Sequence, residues 1–227
     1  MTLNIKKLKI NTFEASRDMA SCLDFSEGYF KILADQGMNS TYMTSHTWMQ
    51  TEGIYGVLVS HDEKIIGGII LCVPNGNARF PYEELTEPAK RNNKKRIPSQ
   101  PEGTCELFAL WNSTDVAGWG LSYILIKSGL ALAYKLGLKK ALYLAAEYNM
   151  RLIDKLGFQV EHKDGLPVFY TFQESSLKTK IYLNYFFTED DRFARNQKEE
   201  IRELANSVIS HKLETVLSKK LDIEYNI

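Results

Sequence analysis

The sequence predicts an α/β fold in which a mixed sheet is flanked by helices. Strand-like and helix-like stretches follow in the order β, α, β, β, loop, β, α, β, α, β, β, which is not a repeating βαβ array. An apolar strand at 104–111 leads through a glycine-containing turn into an amphipathic helix. The last apolar pattern recurs at helical spacing, so we expect a long C-terminal helix.

The overall composition excludes several classes of protein. The 227 residues include 28 basic and 28 acidic ones, so there is no net field to attract nucleic acid or an anionic membrane. No apolar run approaches the ~20 residues of a membrane-spanning helix. The three cysteines form no C-x-x-C pair and have no histidine at metal spacing. We therefore expect a cytoplasmic protein without a metal site, a nucleic-acid partner or a membrane span.

The N-terminal region predicts one strand followed by helix. Apolar residues alternate with basic ones over 3–11, as in a strand with one buried face. Residues 12–36 then show a helical pattern that Thr12 is able to cap. Ser26 and Gly28 within this stretch favour two short helices over one continuous helix.

A hairpin and a long loop are expected next. The β-branched runs 54–60 and 64–73 are separated by a short polar turn, which predicts an antiparallel pair. Residues 74–103 have no periodicity and contain five prolines, so we expect a long loop. This loop carries a basic cluster of Lys90, Arg91, Lys94, Lys95 and Arg96.

The rest of the chain alternates strands and helices before its C-terminal pattern. The expected elements are a strand at 104–111, a helix at 121–136, a strand at 140–146, a helix at 149–156, a strand start at 158–161, and strands at 166–172 and 180–187. Apolar residues at helical spacing as far as Leu221 predict one amphipathic helix. We divide the chain into a domain at 1–187 and a helical extension at 188–227, which either packs on its own domain or forms a homodimer contact.

The stretch from Glu106 to Gly120 has the form of an anion cradle. A strand ends in a polar turn, and Gly118-Trp119-Gly120 leads directly into a helix. Glycines let successive N–H groups point in one direction, and the start of a helix adds unpaired N–H groups and a positive dipole end. Phosphate or pyrophosphate is the expected guest.

This order of elements resembles the GNAT superfamily of acyl-CoA-dependent N-acyltransferases throughout residues 3–187. The family signature R/Q-x-x-G-x-G/A falls on Asp115–Gly120, and its Leu-Tyr-Glu-Lys-Leu-Gly-Phe ending falls on Leu152–Phe158. Both glycines and the Leu-Gly-Phe match. Asp115 stands at the basic or amide position, and Ile153 stands at the tyrosine position. The resemblance implies a mixed, mostly antiparallel sheet.

The resemblance also implies the roles of individual residues. The donor would be acetyl-CoA or another acyl-CoA as co-substrate, without a metal, and the acceptor a small-molecule amine. Glu106 would act as the catalytic base, and Tyr148 or Tyr143 would supply the proton that the tyrosine missing at position 153 usually gives to the thiolate. Backbone N–H groups near Leu110 and Asn112 would hold the thioester oxygen. The implied donor-binding residues are Leu110, Asn112, Val116, Ala117, Gly118, Trp119, Gly120, Leu121 and Asn149.

Two alternative functions stay open. The Glu-Leu-Phe-Ala-Leu run at 106–110, the short helix at 149–157 and residues 29–37 are also similar to the acyl-homoserine-lactone synthase and long-chain N-acyl amino acid synthase branch of this fold. Those enzymes take acyl chains from acyl carrier protein, whose acidic surface would suit the basic cluster. The departures at Asp115 and Ile153 fit a third function, a catalytically silent GNAT fold used for binding or assembly.

Overall fold

The computed structural model describes residues 5–37, 46–75, 79–85, 100–174, 177–188 and 195–227. The basic cluster at 90–96, which would suit the acidic surface of acyl carrier protein, lies outside the described residues. Cys22, Cys72 and Cys105 are buried free thiols.

Within the described ranges, no helix combines the length and the apolar character needed to cross a membrane. The same ranges hold no group of three or more His, Cys, Asp or Glu side chains arranged to bind a metal.

The described chain contains twelve strands and five α-helices. The strands are β1 (Lys6–Glu14), β2 (Ile54–His61), β3 (Lys64–Cys72), β4 (Thr104–Asn112), β5 (Lys140–Ala146), β6 (Gln159–Val160), β7 (His162–Lys163), β8 (Leu166–Pro167), β9 (Phe169–Glu174), β10 (Leu177–Phe187), β11 (Ser210–Val216) and β12 (Lys219–Asn226). The helices are α1 (Met19–Asp35), α2 (Pro81–Leu85), α3 (Leu121–Lys135), α4 (Met150–Lys155) and α5 (Arg195–Asn206). Short 3₁₀ helices span His46–Gln50, Thr114–Val116 and Glu147–Asn149.

One mixed sheet organises the molecule and confirms the predicted fold class. Its strand order is β11-β12-β1-β2-β3-β4-β5-β10-β6, with β9 also paired to β10, and β7 and β8 form a separate small hairpin. The β1–β12 and β4–β5 pairs are parallel, and the other pairs are antiparallel. The predicted hairpin of β2 and β3 is present.

Helices cover both faces of the sheet. On one face α3 is buried continuously from Ile124 to Ala133, because it packs between the sheet and α5. Gly129 allows close contact with β4, since a Cβ there would lie 2.7 Å from Leu107 Cδ2. On the other face α1 packs Phe25 against Trp48 and Trp111. Alternate residues of β2, β3 and β4 therefore belong to two separate apolar clusters.

The N-terminal helix differs from the sequence prediction. Residues 12–14 extend β1, and α1 is capped by Asp18, whose carboxylate accepts the Ser21 N–H at 3.0 Å. One helix runs through Gly28, because this glycine lies directly against a tryptophan ring. A Cβ at Gly28 would approach Trp111 to 2.0 Å. Glycine therefore occurs here because a larger side chain would clash with the Trp111 ring, and not because the helix breaks.

The predicted long C-terminal helix is wrong. Helix α5 ends at Asn206, and the residues after it form the β11–β12 hairpin. Leu221, Ile223 and Tyr225 alternate with period two and are buried, and β12 pairs in parallel with β1. The helix prediction failed because short apolar patterns fit the 3.6-residue period of a helix as well as the two-residue period of a strand. The expected helical extension at 188–227 thus consists of a 12-residue helix and two strands of the main sheet.

Candidate active site

Strands β4 and β5 pair over only part of their length. Their parallel register runs from Thr104 opposite Lys140 to Leu107 opposite Tyr143. Strand β4 continues to Asn112, and its described pairing beyond Leu107 is with β3 alone. The two neighbouring strands therefore leave an opening between them at the carboxyl end of β4.

A β-bulge marks this point of separation. The register of β3 and β4 shifts so that Ala109 and Leu110 together stand opposite Ile69. Ala109 has a φ of +51°, a left-handed value that residues with a Cβ rarely adopt. A strained residue at such a site is retained because the surrounding sheet over-determines it. The bulge redirects the end of β4 away from β5.

The turn after β4 presents unpaired backbone donors. Three of its N–H groups are satisfied within the turn at 3.1–3.2 Å, those of Val116, Ala117 and Trp119. Among the described residues, no acceptor is found for four others, the N–H groups of Gly118, Gly120, Leu121 and Ser122. Helix α3 begins here with Gly120 as its N-cap, which offers no side-chain cap. The free donors and the helix dipole together favour an anion.

A cleft of about 770 Å³ lies in front of these donors. Its walls come from the turn, α3, α4, α5 and β11, so both the predicted phosphate cradle and the C-terminal segment contribute. The lining residues are Asn112, Val116, Gly118, Gly120, Leu121, Ser122, Tyr123, Leu152, Lys155, Gln197, Glu200, Glu203 and 212–217. The Ser122 hydroxyl donates to Asn112 Oδ1 at 3.0 Å and ties the start of α3 to the end of β4.

The two glycines of the turn have different surroundings. Both have left-handed φ values, +77° at Gly118 and +79° at Gly120. A Cβ at Gly120 would lie 2.2 Å from Val216 Cγ1 of β11, whereas none of the described atoms lies within 4 Å of a Cβ at Gly118. Gly120 therefore accommodates the hairpin, and Gly118 borders open space in the cleft.

A buried ion pair holds the hairpin on α3. Lys127 Nζ, with a side chain only 3% exposed, lies 2.5 Å from Glu214 Oε1. The Tyr225 hydroxyl donates to the same oxygen, and Glu200 lies 3.8 Å from Lys127 Nζ. Because these partners come from α3, α5, β11 and β12, they fix the cleft wall relative to the turn.

A second ion pair also lines the cleft. Lys212 Nζ contacts Glu203 Oε2 at 2.9 Å, and this hydrogen bond with its positive charge lowers the pKa of the Glu203 carboxyl. The cleft thus offers neutralised side-chain pairs beside a cluster of free backbone donors.

Asp115 and Trp119 turn away from the cleft. The Asp115 carboxylate lies 3.5 Å from Lys64 Nζ on β3, and Asp115 is not one of the cleft-lining residues. The Trp119 ring packs edge-on against His61 with centroids 5.3 Å apart, and Lys6 Nζ lies over it. The acid at the family's basic position therefore does not add a carboxylate to the cradle.

Glu106 lies on the opposite face of the sheet, beneath α2. It is 1% exposed, and its Oε2 accepts the Tyr82 N–H at 2.9 Å. Its Oε1 has no hydrogen-bond partner among the described residues. Burial raises the pKa of Glu106 well above its ordinary value, and the nearby Glu83 raises it further, while the Tyr82 N–H opposes the shift. The carboxyl group is therefore protonated over a wider pH range than usual.

The structure places Glu106 and Tyr143 on opposite faces of the sheet. Tyr143 belongs to the α3-side cluster, with its ring 6.1 Å from Phe158, and burial raises the pKa of its hydroxyl. Tyr148 is 77% exposed on the 3₁₀ turn after β5. Asn149 precedes α4 and makes no side-chain cap.

Several site residues escaped the sequence analysis. Ser122 and Lys127 belong to no motif, and Lys155 lies within the Leu152–Phe158 motif without being singled out there. The sequence pattern predicts a helix where the cleft-lining strand β11 is found. The sequence signal for this strand is the alternation of Leu221, Ile223 and Tyr225, which predicts a strand at these positions. A strand there indicates a hairpin with the residues that precede it, after residue 209.

Solved structures share this architecture. A CoA-dependent acyl-homoserine lactone synthase, MesI, aligns over 87% of this chain and 95% of its own, with a TM-score of 0.56 and 13% identity. An acyl-CoA N-acyltransferase from Pseudomonas aeruginosa aligns over 78% and 98%, with a TM-score of 0.54 and 11% identity. A GNAT family acetyltransferase from Streptococcus pneumoniae aligns over 79% and 99%, with a TM-score of 0.51 and 15% identity.

No protein-family model matches the sequence, and no curated protein matches it. The structural matches at low identity show that the chain has the fold of the GNAT superfamily.

Proposed function

Starting from the GNAT fold, we propose that this protein is an acyl-CoA-dependent N-acyltransferase, most simply one that transfers acetyl from acetyl-CoA to a small amine. One observation carries the proposal. Four unpaired N–H groups surround an uncapped helix start at the edge of a cleft, next to the point where β4 leaves β5. Backbone donors at a helix N-terminus suit a pyrophosphate.

The donor would lie between the cradle and the opening. Gly118, Gly120, Leu121 and Ser122 would hold the pyrophosphate, and the opening beside β4 would admit the acyl end. The N–H groups of Leu110 and Asn112, on the part of β4 that has left β5, would bind the thioester oxygen.

The reaction would be direct attack by the amine. Its nitrogen forms a bond to the thioester carbon, the carbon–sulfur bond breaks, and the thiolate leaves. Glu106 would accept the amine proton through a water at its Oε1, which is unpartnered among the described residues. This requires the carboxylate form, which the Tyr82 N–H contact at Oε2 favours. Because the pKa of Glu106 is raised, kcat/KM should increase as pH rises through that pKa.

The proton for the thiolate would come from one of two tyrosines. Tyr143 is buried near the end of the β4–β5 pairing, whereas Tyr148 is exposed. If one of these tyrosines is the general acid, its substitution by phenylalanine should lower kcat by about 10²- to 10⁴-fold, and substitution of the other should leave kcat unchanged. Equal activity of Tyr143→Phe, Tyr148→Phe and the wild type would show that neither residue is the acid.

A thermal-shift series tests donor binding. A ligand present at ~100 times its Kd should stabilise the protein by ~2.7 kcal/mol. Gly118→Ala places a methyl group on a cleft-lining residue and should weaken binding at least about tenfold, or ~1.4 kcal/mol. Gly137→Ala is the matched control, because Gly137 also has a positive φ and an open Cβ position but does not line the cleft. If acetyl-CoA, longer acyl-CoAs, CoA and acylated carrier protein all fail to shift the wild type, the silent binding or assembly module is the better description.

The second candidate is transfer of a longer acyl chain, as in an autoinducer synthase. It is favoured by the extent of the match to MesI, which covers 87% of this chain against 78% for the P. aeruginosa N-acyltransferase. The same series with hexanoyl- and octanoyl-CoA and with acylated carrier protein separates the candidates. A shift by acyl carrier protein alone, strongest at low salt, would identify a carrier-dependent enzyme.

A further inference from the structure

The glycine turn before α3, residues 113–120, has little intrinsic rigidity. Gly118 and Gly120 stand on either side of Trp119, and both have left-handed φ values, +77° and +79°. Glycine has more backbone freedom than other residues, so ordering such a turn costs conformational entropy. The helix start that follows has no side-chain cap to order it. Contacts from outside the turn therefore help to hold its free N–H groups in one direction.

The tip of the β2–β3 hairpin supplies such contacts. It consists of His61, Asp62, Glu63 and Lys64, and its two central residues have φ values of +48° and +64°, as in the type I′ turn of a two-residue hairpin loop. His61 and Lys64 are directly opposite each other in the register, so their side chains lie on the same face of the sheet. The hairpin tip is therefore a compact support for a neighbouring turn.

Trp119 packs on this hairpin tip. Its ring lies edge-on to the His61 ring, with centroids 5.3 Å apart. Lys6 Nζ of β1 lies 5.3 Å from the centroid of the same indole, in a cation–π contact. The His61 ring is itself fixed, because its Nδ1 donates to the Lys7 carbonyl oxygen at 2.7 Å. Two strands therefore hold the one side chain that lies between the two glycines.

Asp115 makes a second contact between the glycine turn and the hairpin tip. Its Oδ2 lies 3.5 Å from Lys64 Nζ, and both side chains of this ion pair are exposed, so the pair is weaker than a buried one. Next to it, the Ser113 N–H donates to the Ile66 carbonyl oxygen at 2.8 Å. The acid at the first position of the signature thus contacts the hairpin tip and not the cleft.

We propose that Trp119 is a positioning residue, whose contact with the hairpin tip holds the glycine turn in the conformation that binds the donor pyrophosphate. This inference rests on the proposed function, since the donor is the expected ligand of the cradle. Trp119 is not one of the described residues that line the cleft, so it acts through the N–H groups of Gly118 and Gly120. Its loss lowers the fraction of molecules with an ordered turn, and the apparent affinity for the donor falls by that fraction.

Calorimetric titration of the protein with CoA tests this role. Trp119→Ala should raise the Kd for CoA at least about tenfold, as expected when at most about a tenth of the molecules have an ordered turn. Trp119→Phe keeps a ring for His61 and Lys6 and should restore the Kd to within about threefold of wild type. Phe169→Ala is the matched control, because the Phe169 ring also lies 5.2 Å from a lysine Nζ, that of Lys180, and does not belong to the cleft lining.

Acyl-transfer kinetics separate positioning from chemistry. Trp119→Ala should raise the KM for acetyl-CoA and leave kcat within about twofold of wild type, because the turn binds the donor away from its reacting atoms. His61→Ala should raise the Kd for CoA in the same direction. The double variant His61→Ala, Trp119→Ala should bind CoA no more than about twofold more weakly than Trp119→Ala, because the two residues act through one contact.

Amide hydrogen exchange of the ligand-free protein gives a readout that needs no donor. The Val116 and Ala117 N–H groups are bonded within the turn, and in Trp119→Ala they should exchange at least about tenfold faster. Unchanged exchange, or an unchanged Kd for CoA in Trp119→Ala, would overturn the proposal. If the wild type binds no CoA, the proposed function fails instead, and the exchange rates alone decide whether Trp119 orders the turn.

Discussion

At the scale of single residues, two glycines with the same backbone conformation do different work. Gly118 and Gly120 both require a left-handed φ, but only Gly120 lies under a side chain of β11. The free-energy cost of replacing such a glycine therefore has two parts, the backbone strain and any clash of the new Cβ with a neighbouring side chain.

Gly120→Ala should destabilise the protein more than Gly118→Ala. Both variants bear the ~1–2 kcal/mol strain of a left-handed alanine. Gly120→Ala also places its Cβ against Val216 and should lose about 1–3 kcal/mol more through overpacking. Urea unfolding of the two variants measures the difference. Equal free energies of unfolding would show that the hairpin does not rest on Gly120.

The buried Glu106 should make stability depend on pH. Its folded pKa is raised, so its contribution is fully present below the unfolded pKa of ~4.3 and is lost as pH rises through the folded pKa. Glu106→Gln imitates the protonated carboxyl and should remove this dependence. Wild type should therefore lose stability relative to Glu106→Gln in urea titrations as pH rises from the unfolded pKa of ~4.3 towards the raised folded pKa.

Glu203 supplies the control of opposite sign. Its pKa is lowered by Lys212, so its small contribution is present above the unfolded pKa and is lost as pH falls. The difference in unfolding free energy between wild type and Glu203→Gln should therefore become smaller as pH falls. A Glu106→Gln difference that stays constant with pH would contradict the raised pKa.

At the scale of elements, the ion pair of Lys127 and Glu214 joins α3 to β11. Removing one partner of a buried pair leaves an uncompensated charge, so Lys127→Met should cost about 3–5 kcal/mol. The double variant Lys127→Met, Glu214→Gln should cost less than the sum of the single variants, as a double-mutant cycle measures. The exposed pair of Lys64 and Asp115 should show a coupling of at most about 1 kcal/mol.

At the scale of the whole molecule, the C-terminal residues complete the sheet. Ile223 of β12 is 0% exposed and stands opposite Leu8 of β1. Ile223→Ala should therefore destabilise the protein by about 2–5 kcal/mol in chemical denaturation. Ile5→Ala, at a residue 41% exposed, should change stability by no more than about 0.5 kcal/mol. Similar small effects for both would indicate that β12 is dispensable for the fold.

Local patterns were sufficient for much of the architecture. The β-branched runs 54–60 and 64–73, with a short polar turn between them, predict the β2–β3 hairpin. The order of strand, glycine turn and helix across 104–136 predicts the element order of the site. These features are legible in the sequence because period, turn residues and caps act over a few neighbouring residues.

The sequence by itself thus determined the mixed α/β fold and the position of the glycine turn between a strand and a helix. Only the tertiary structure decided that β12 joins β1, that β11 walls the cleft, and that Glu106 lies buried beneath α2. Each of these depends on contacts between residues far apart in the chain. When an apolar pattern fits both a helix and a strand, the segment forms the structure whose apolar face is buried by the rest of the protein. The residues that bury it lie far away in the sequence.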